Sequence, residues 1–238
     1  MFVRDSVAQL ELVGPLGPVL VPDPPYWIEK KARRAALPLP REMKARLKLP
    51  AGLAPGVYSW QAANANGVSA TSDKFIVSAN KEIIEDRDRT EPQVLSVLPI
   101  TVSGQILKVE EVDRYRFVAT ATGPVTCRCV VAAIKSALTP LLEVRDKSGQ
   151  LLADAADLGG RDLTLTFSAQ KGQEYFLNLY DIDFRGDRSY IYRLTVAAGP
   201  SVVTAFPPAG RSEETREIEF RGQGLVSGKP QWESLKQK

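Results

Sequence analysis

The chain has 238 residues, 44% of them hydrophobic, enough for one large core or two small ones; its net charge of +3 is too small to point to nucleic acid. It contains no histidine, which excludes a Ser-His-Asp triad, a Cys-His dyad and any histidine-ligated metal site within this chain. The chemistry left open is a Ser-Lys pair, a carboxylate pair or an oxygen-only calcium site.

No apolar run approaches the roughly 20 residues of a membrane-spanning helix, so no membrane span is expected. Met1-Phe2-Val3-Arg4-Asp5 lacks a basic region followed by an apolar stretch, so no signal peptide is visible. That fits either a cytosolic protein or a piece of a longer exported one.

From the N-terminus, Val7 to Val13 alternates weakly, and Gly14-Pro15-Leu16-Gly17-Pro18 and Pro22-Asp23-Pro24-Pro25 then break the chain repeatedly. Lys30 to Lys48 carries eight basic residues and one acid, Glu42. Such a stretch can hold an anionic polymer, but no aromatic residues interleave the charges, which favours a solvated loop or short helix. Tyr26-Trp27 reads as a sugar-stacking platform or, more commonly beside prolines, as cover for the edge of a core. Next, Arg46 to Leu49, a turn over Pro50 to Gly56, Val57 to Ala63, an Asn66-Gly67 hairpin signal and Lys74 to Val77 read as paired strands.

Residues 78–93 read as a charged, mostly non-periodic linker ending near Pro92. Residues 94–198 read as eight or nine short alternating strands, the spacing of an all-β sandwich or jelly roll. Tyr115 and Phe117 point inward in Arg114 to Ala119, and Leu163-Thr164-Leu165-Thr166-Phe167 places its threonines outward. Cys127 and Cys129 share a strand face with Val125 and Val131. Their parallel side chains suit two small buried hydrophobes better than a disulfide.

Two resemblances follow from these residues. Pro50-Ala51-Gly52-Leu53-Ala54-Pro55-Gly56-Val57-Tyr58, then Asn64 to Ser69 and Phe75-Ile76-Val77, resemble the second half of an IPT/TIG-type immunoglobulin-like domain. Pro200 to Gly210 and Glu217 to Leu225 look like the first half of another. Between them, five motifs in order resemble a bacterial pre-peptidase C-terminal (PPC) domain. They are Val102-Ser103-Gly104-Gln105-Ile106, Val112 to Phe117, Leu141 to Gly149, Gly172 to Leu177 and Asp181 to Leu194.

The resemblance implies a jelly-roll-like β-sandwich, PPC in type, with flanking immunoglobulin-like segments. The expected organisation is 1–77 immunoglobulin-like, 78–93 linker, 94–198 sandwich, and 199–238 the start of a second immunoglobulin-like segment and tail. It also implies a non-catalytic accessory module of a larger multi-domain protein at an extracellular, periplasmic or cell-surface location. The partners would be a protein or polysaccharide surface, or an appended enzyme domain. Exposed strand edges would permit a homo-oligomer. The rival readings are a carboxylate-dependent hydrolase, which needs two acids about 5 to 10 Å apart in a cleft, and a structural spacer with no ligand.

Three groups of acids are candidate sites. Asp181, Asp183 and Asp187 with Gly186 sit between two strands, where closely spaced carboxylates can ligate calcium. Arg185 and Arg188 beside them favour a salt-bridged turn whose aspartates bond the backbone. In related collagenase sandwiches an acidic linker binds calcium; Glu82, Glu85, Asp86, Asp88 and Glu91 occupy that region here, interleaved with Lys81, Arg87 and Arg89. Glu110, Glu111 and Asp113 read as an outward polar face at a strand entry rather than a catalytic set. Tyr190 and Tyr192 read as core with a capping Arg193. Gly222 to Gly228 misses the spacing of a dinucleotide loop and reads as a turn. No catalytic or cofactor-binding residue is expected beyond calcium.

Overall fold

In the computed structural model, residues 9–12, 45–61, 63–64, 67–68, 73–156 and 162–238 are described. The chain divides into two units, residues 1–77 and 78–238. The basic stretch from Lys30 to Lys44 and the Tyr26-Trp27 pair lie outside the described residues.

In the first unit, β1 (Gln9–Leu12) pairs with β2 (Ala45–Lys48), and β3 (Gly56–Trp60) pairs antiparallel with β6 (Asp73–Val77). Between the latter two, β4 (Ala63–Asn64) and β5 (Gly67–Val68) form a hairpin with Asn64 opposite Gly67, so Gly67 begins the return strand rather than the loop. Tyr58 and Phe75 face each other across β3 and β6, their rings stacked at 5.6 Å. The Tyr58 hydroxyl donates to the Ala54 carbonyl at 2.7 Å, tying the strand to the proline-rich turn.

The second unit is built from β7 (Lys81–Ile84), β8 (Gln93–Val94), β9 (Ile100–Gln105), β10 (Asp113–Val118), β11 (Gly123–Val130), β12 (Pro140–Asp146), β13 (Leu151–Ala156), β14 (Leu163–Ala169), β15 (Glu174–Asp181), β16 (Ile191–Ala198), β17 (Ser201–Phe206), β18 (Ile218–Gln223) and β19 (Trp232–Gln237). Two five-stranded sheets, in the orders β13-β12-β15-β10-β8 and β14-β11-β16-β9-β7, form an all-β sandwich. β17-β18-β19 is a separate three-stranded antiparallel sheet.

Strict alternation builds the core, because a strand sends successive side chains to opposite faces. β10 buries Asp113, Tyr115 and Phe117, and β15 buries Tyr175, Leu177, Leu179 and Asp181. From the other sheet come Ile100 and Val102, Val125, Cys127 and Cys129, Leu163, Leu165 and Phe167, and Tyr192, Leu194 and Val196. Phe117, Phe167 and Tyr175 meet as a three-ring cluster across the two layers, with centroids 5.1 to 6.4 Å apart. Cys127 and Cys129 are fully buried free thiols, and burial pushes the Cys127 thiol up to about 12. Thr164 faces out, whereas Thr166 is buried and shares a 3.0 Å hydroxyl contact with Thr126 of the neighbouring strand.

The segment expected to be a linker is part of the sandwich. β7 adds in parallel to β9, Lys81 opposite Ile100, and β8 adds in parallel to β10, Tyr115 opposite Gln93. Ile83 packs against the core. Its charged residues hide this from a periodicity reading, because an edge strand buries few side chains and keeps the rest in water.

Gly104 lies opposite Tyr192 in the β9–β16 ladder, and a Cβ there would meet the Tyr192 ring at 2.3 Å. The ring lies across the space that the glycine leaves. Gly104→Ala is therefore expected to destabilise the fold by about 1 to 3 kcal/mol through overpacking. Urea unfolding checks this; an unchanged midpoint would show that the ring has room to move.

Candidate metal centre

Three acids from three places in the chain converge beside Tyr192. Glu85 follows the last residue of β7, and its backbone N–H donates to the Ser103 carbonyl at 3.0 Å. Its side chain is 7% exposed, lies 3.7 Å from Arg87 Nε, and accepts the Gln105 N–H at 2.9 Å through Oε2. Glu111 stands in the turn before β10, and its Oε2 accepts the Leu107 and Lys108 N–H groups, both at 2.6 Å. Asp113 opens β10. Ligand oxygens of the three lie within 4.8 Å of one another.

Asp113 lies on the inner face, in phase with Tyr115 and Phe117, so the expected outward polar face at this strand entry is corrected. It is 7% exposed. The Tyr192 hydroxyl donates to Asp113 Oδ2, and the Tyr115 and Tyr192 hydroxyls are hydrogen-bonded to each other. Buried phenols require partners, and this carboxyl terminates their chain. Burial raises the Asp113 carboxyl to about 8; the Tyr192 hydrogen bond opposes the rise, and the Glu85 and Glu111 charges add to it. Burial likewise holds the Tyr115 and Tyr192 phenols above their ordinary range.

The acids open into a cleft of about 120 Å³ whose wall includes Asp86, Arg87, Arg89, Gln93 and Arg114. Gln93 fastens that wall: its amide accepts from the Asp86 N–H at 3.0 Å and donates to the Ile84 carbonyl at 3.1 Å. Arg89 pairs with Asp86, and Arg87 bonds Gln105. Of the acidic stretch, Glu85 enters the cluster. Asp86 and Glu91 line the cleft, and Glu82 instead pairs with Arg193 on β16.

Asp181, Asp183 and Asp187 are placed differently. Asp181 is fully buried: Oδ2 accepts the Thr139 N–H at 3.1 Å, and Oδ1 accepts the Asp183 N–H, the Arg185 N–H and Arg185 Nε at 3.1 to 3.2 Å. Burial works to raise this carboxyl, but these donors outweigh it and hold it below the usual value. Arg185 also bridges to Asp183 at 3.0 Å. Asp187 Oδ1 accepts the Ser189 N–H at 2.8 Å and hydroxyl at 2.7 Å. Their oxygens bond the turn itself and are not gathered on a common point.

A carboxylate cluster with only oxygen donors suits a hard cation such as calcium. Like charges this close do not all remain ionised in a dry site unless a proton or a cation joins them. The sequence signal for it was the phase of Asp113 with Tyr115 and Phe117. The approach of Glu85 depends on an edge pairing that no local pattern announces.

No protein-family model and no curated protein matches the chain. Among solved structures, the chain is similar to the pre-peptidase C-terminal domain of a collagenase from Bacillus anthracis, at 18% identity and a TM-score of 0.37, covering 47% of this chain and 99% of that one. It is also similar to PliG, a periplasmic inhibitor of g-type lysozyme from Aeromonas hydrophila, at 13% identity and a TM-score of 0.34, covering 49% of this chain and 97% of that one. A third is the CBM51-2 and INT region of ZmpB from Clostridium perfringens, at 11% identity and a TM-score of 0.30, covering 60% of this chain and 37% of that one.

Proposed function

We propose that residues 78–198 form a non-catalytic accessory module of an exported protein, stabilised by calcium held between Glu85, Glu111 and Asp113. The observation that carries this is the convergence of three carboxylates from separate segments within 4.8 Å, at the point where the β7–β8 connection meets the sandwich. A cation there would neutralise the cluster and fasten that connection to β10. The module would present a protein or polysaccharide partner, or an attached enzyme domain. Millimolar calcium outside cells is sufficient for a weak site of this kind.

A carboxylate hydrolase is the second reading, because a carboxyl raised to about 8 beside another acid suits proton donation. The size of the cleft favours the cation: about 120 Å³ is well under the roughly 300 to 1,000 Å³ of pockets that take organic ligands.

Thermal melts with and without calcium test the reading. At calcium about a hundredfold above its Kd, the midpoint is expected to rise by about 5 to 10 °C, and chelation is expected to reverse the rise. Glu85→Gln and Asp113→Asn should abolish the response. Asp181→Ala should lower the midpoint, because it strands buried N–H donors, yet keep the calcium response. Equal midpoints with and without calcium in the unaltered protein would sink the site.

Acidity supplies a separate check. Without metal, folded Asp113 keeps its proton up to about pH 8, whereas the unfolded chain releases it near 3.8. Stability should therefore decline as pH rises between those values and level off above pH 8. Asp113→Asn should flatten that decline. The stabilisation by calcium should grow over the same window, since metal and proton compete for the same oxygens. Urea midpoints measured along a pH series give both slopes; a calcium effect independent of pH would place the ion elsewhere.

A further inference from the structure

On the outer face of the β13-β12-β15-β10-β8 sheet, at the end of its central strand, Tyr180 of β15 and Phe184 of the following turn stack at 5.2 Å with their planes 17° apart. Phe184 is 48% exposed and has φ +55, a left-handed conformation that costs a bulky residue strain. The turn is rigid. Asp181 anchors it with four accepted hydrogen bonds, the Phe184 N–H donates to the Asp181 carbonyl at 2.8 Å, and the Phe184 carbonyl accepts the Glu110 N–H at 2.9 Å. Gly186 lies against the Lys108 backbone, where a Cβ would come within 2.2 Å. Many contacts thus hold an aromatic ring in water, although a small polar residue would meet the conformational demand at lower cost.

The ring pair stands over a polar row. The Tyr180 hydroxyl donates to Glu143 Oε1 at 3.2 Å, and Asn178 Nδ2 and Arg145 Nε donate to Glu143 Oε2 at 3.3 and 3.0 Å. The Arg145 hydrogen bond keeps the Glu143 carboxyl below its ordinary value, so it stays an acceptor. Phe176 lies on the same strand face as Tyr180, about 13 Å along it at the usual strand rise. A flat apolar ring beside a carboxylate, an amide and a guanidinium complements a pyranose, which offers one apolar C–H face bordered by hydroxyls that both donate and accept. A protein epitope would find little continuous apolar area here, because the rings are bordered by charge of both signs.

We propose that the Tyr180–Phe184 stack and the Glu143–Asn178–Arg145 row form a carbohydrate-binding surface for pyranose chains. It is a different site from the acid cluster and does not need calcium. The test is two-dimensional NMR of the whole chain titrated with chito-oligosaccharide and, separately, cello-oligosaccharide. The expected result is shifts confined to residues 141–145 and 176–184 with one of the two probes. Phe184→Asn tolerates the left-handed backbone and should weaken binding about tenfold while leaving the melting midpoint close to that of the unaltered chain. Asp113→Asn, or chelation, should leave sugar binding intact even if the calcium reading fails. No shift with either probe overturns the surface. Shifts that persist at full strength in Phe184→Asn, or shifts centred on another face, also overturn it.

Discussion

Two buried phenols organise the sandwich. Tyr115 and Tyr192 come from opposite sheets, and each is almost wholly out of water. A phenol in such a place needs a hydrogen-bond partner, and an unsatisfied one would cost about 1 to 3 kcal/mol. The two hydroxyls bond each other, and the chain ends on Asp113. This fixes how the layers meet at one end of the core. It also forces a carboxyl into a dry site, where it holds its proton far more tightly than usual. Gly104 belongs to the same arrangement, because only a residue without a side chain leaves room for the Tyr192 ring.

The carboxyl does not stand alone, because one connected piece of chain runs along one edge of each sheet. β7 adds to one sheet and β8 to the other, so the segment between them spans the gap at the mouth of the core. Edge strands leave unpaired backbone groups, and parallel additions of this sort cover them. Glu85 falls where the first addition ends, and its carboxylate accepts the Gln105 N–H at the end of β9. The same pairing that protects the sheet edge thus carries a second acid to Asp113. The Leu107 to Glu111 turn brings the third.

The turn after β15 handles acids in the opposite way. Asp181 is as buried as the tyrosines, yet it stays ionised, because three backbone N–H groups and Arg185 converge on it. Asp113 has Tyr192 as its donor and two acids as neighbours, so its balance tips toward the neutral form. Two inward-facing aspartates of one sheet, at the start of β10 and the end of β15, therefore play different parts. One locks a turn that displays an aromatic ring, and the other remains open to a proton or a cation.

The period-two patterning of residues 94–198 by itself determined an all-β sandwich, because alternation over short strands leaves no other way to bury Tyr115, Phe117, Leu165, Phe167, Leu177 and Leu194 together. It also placed Cys127 and Cys129 in the core as free thiols. The same alternation put Asp113 in phase with Tyr115, but an aspartate at a strand entry is ordinarily solvated, and nothing local shows that a tyrosine 79 residues away will donate to it. The segment from Lys81 to Val94 carries no strand period, so its addition to both sheets, through β7 and β8, depends on free backbone groups that exist only once β9 and β10 are in place. Arg185 and Arg188 beside Asp181, Asp183 and Asp187 already signalled a self-bonded turn. Tertiary structure decided which acids meet, because that follows from strand order and edge pairing, which act between residues distant in the chain.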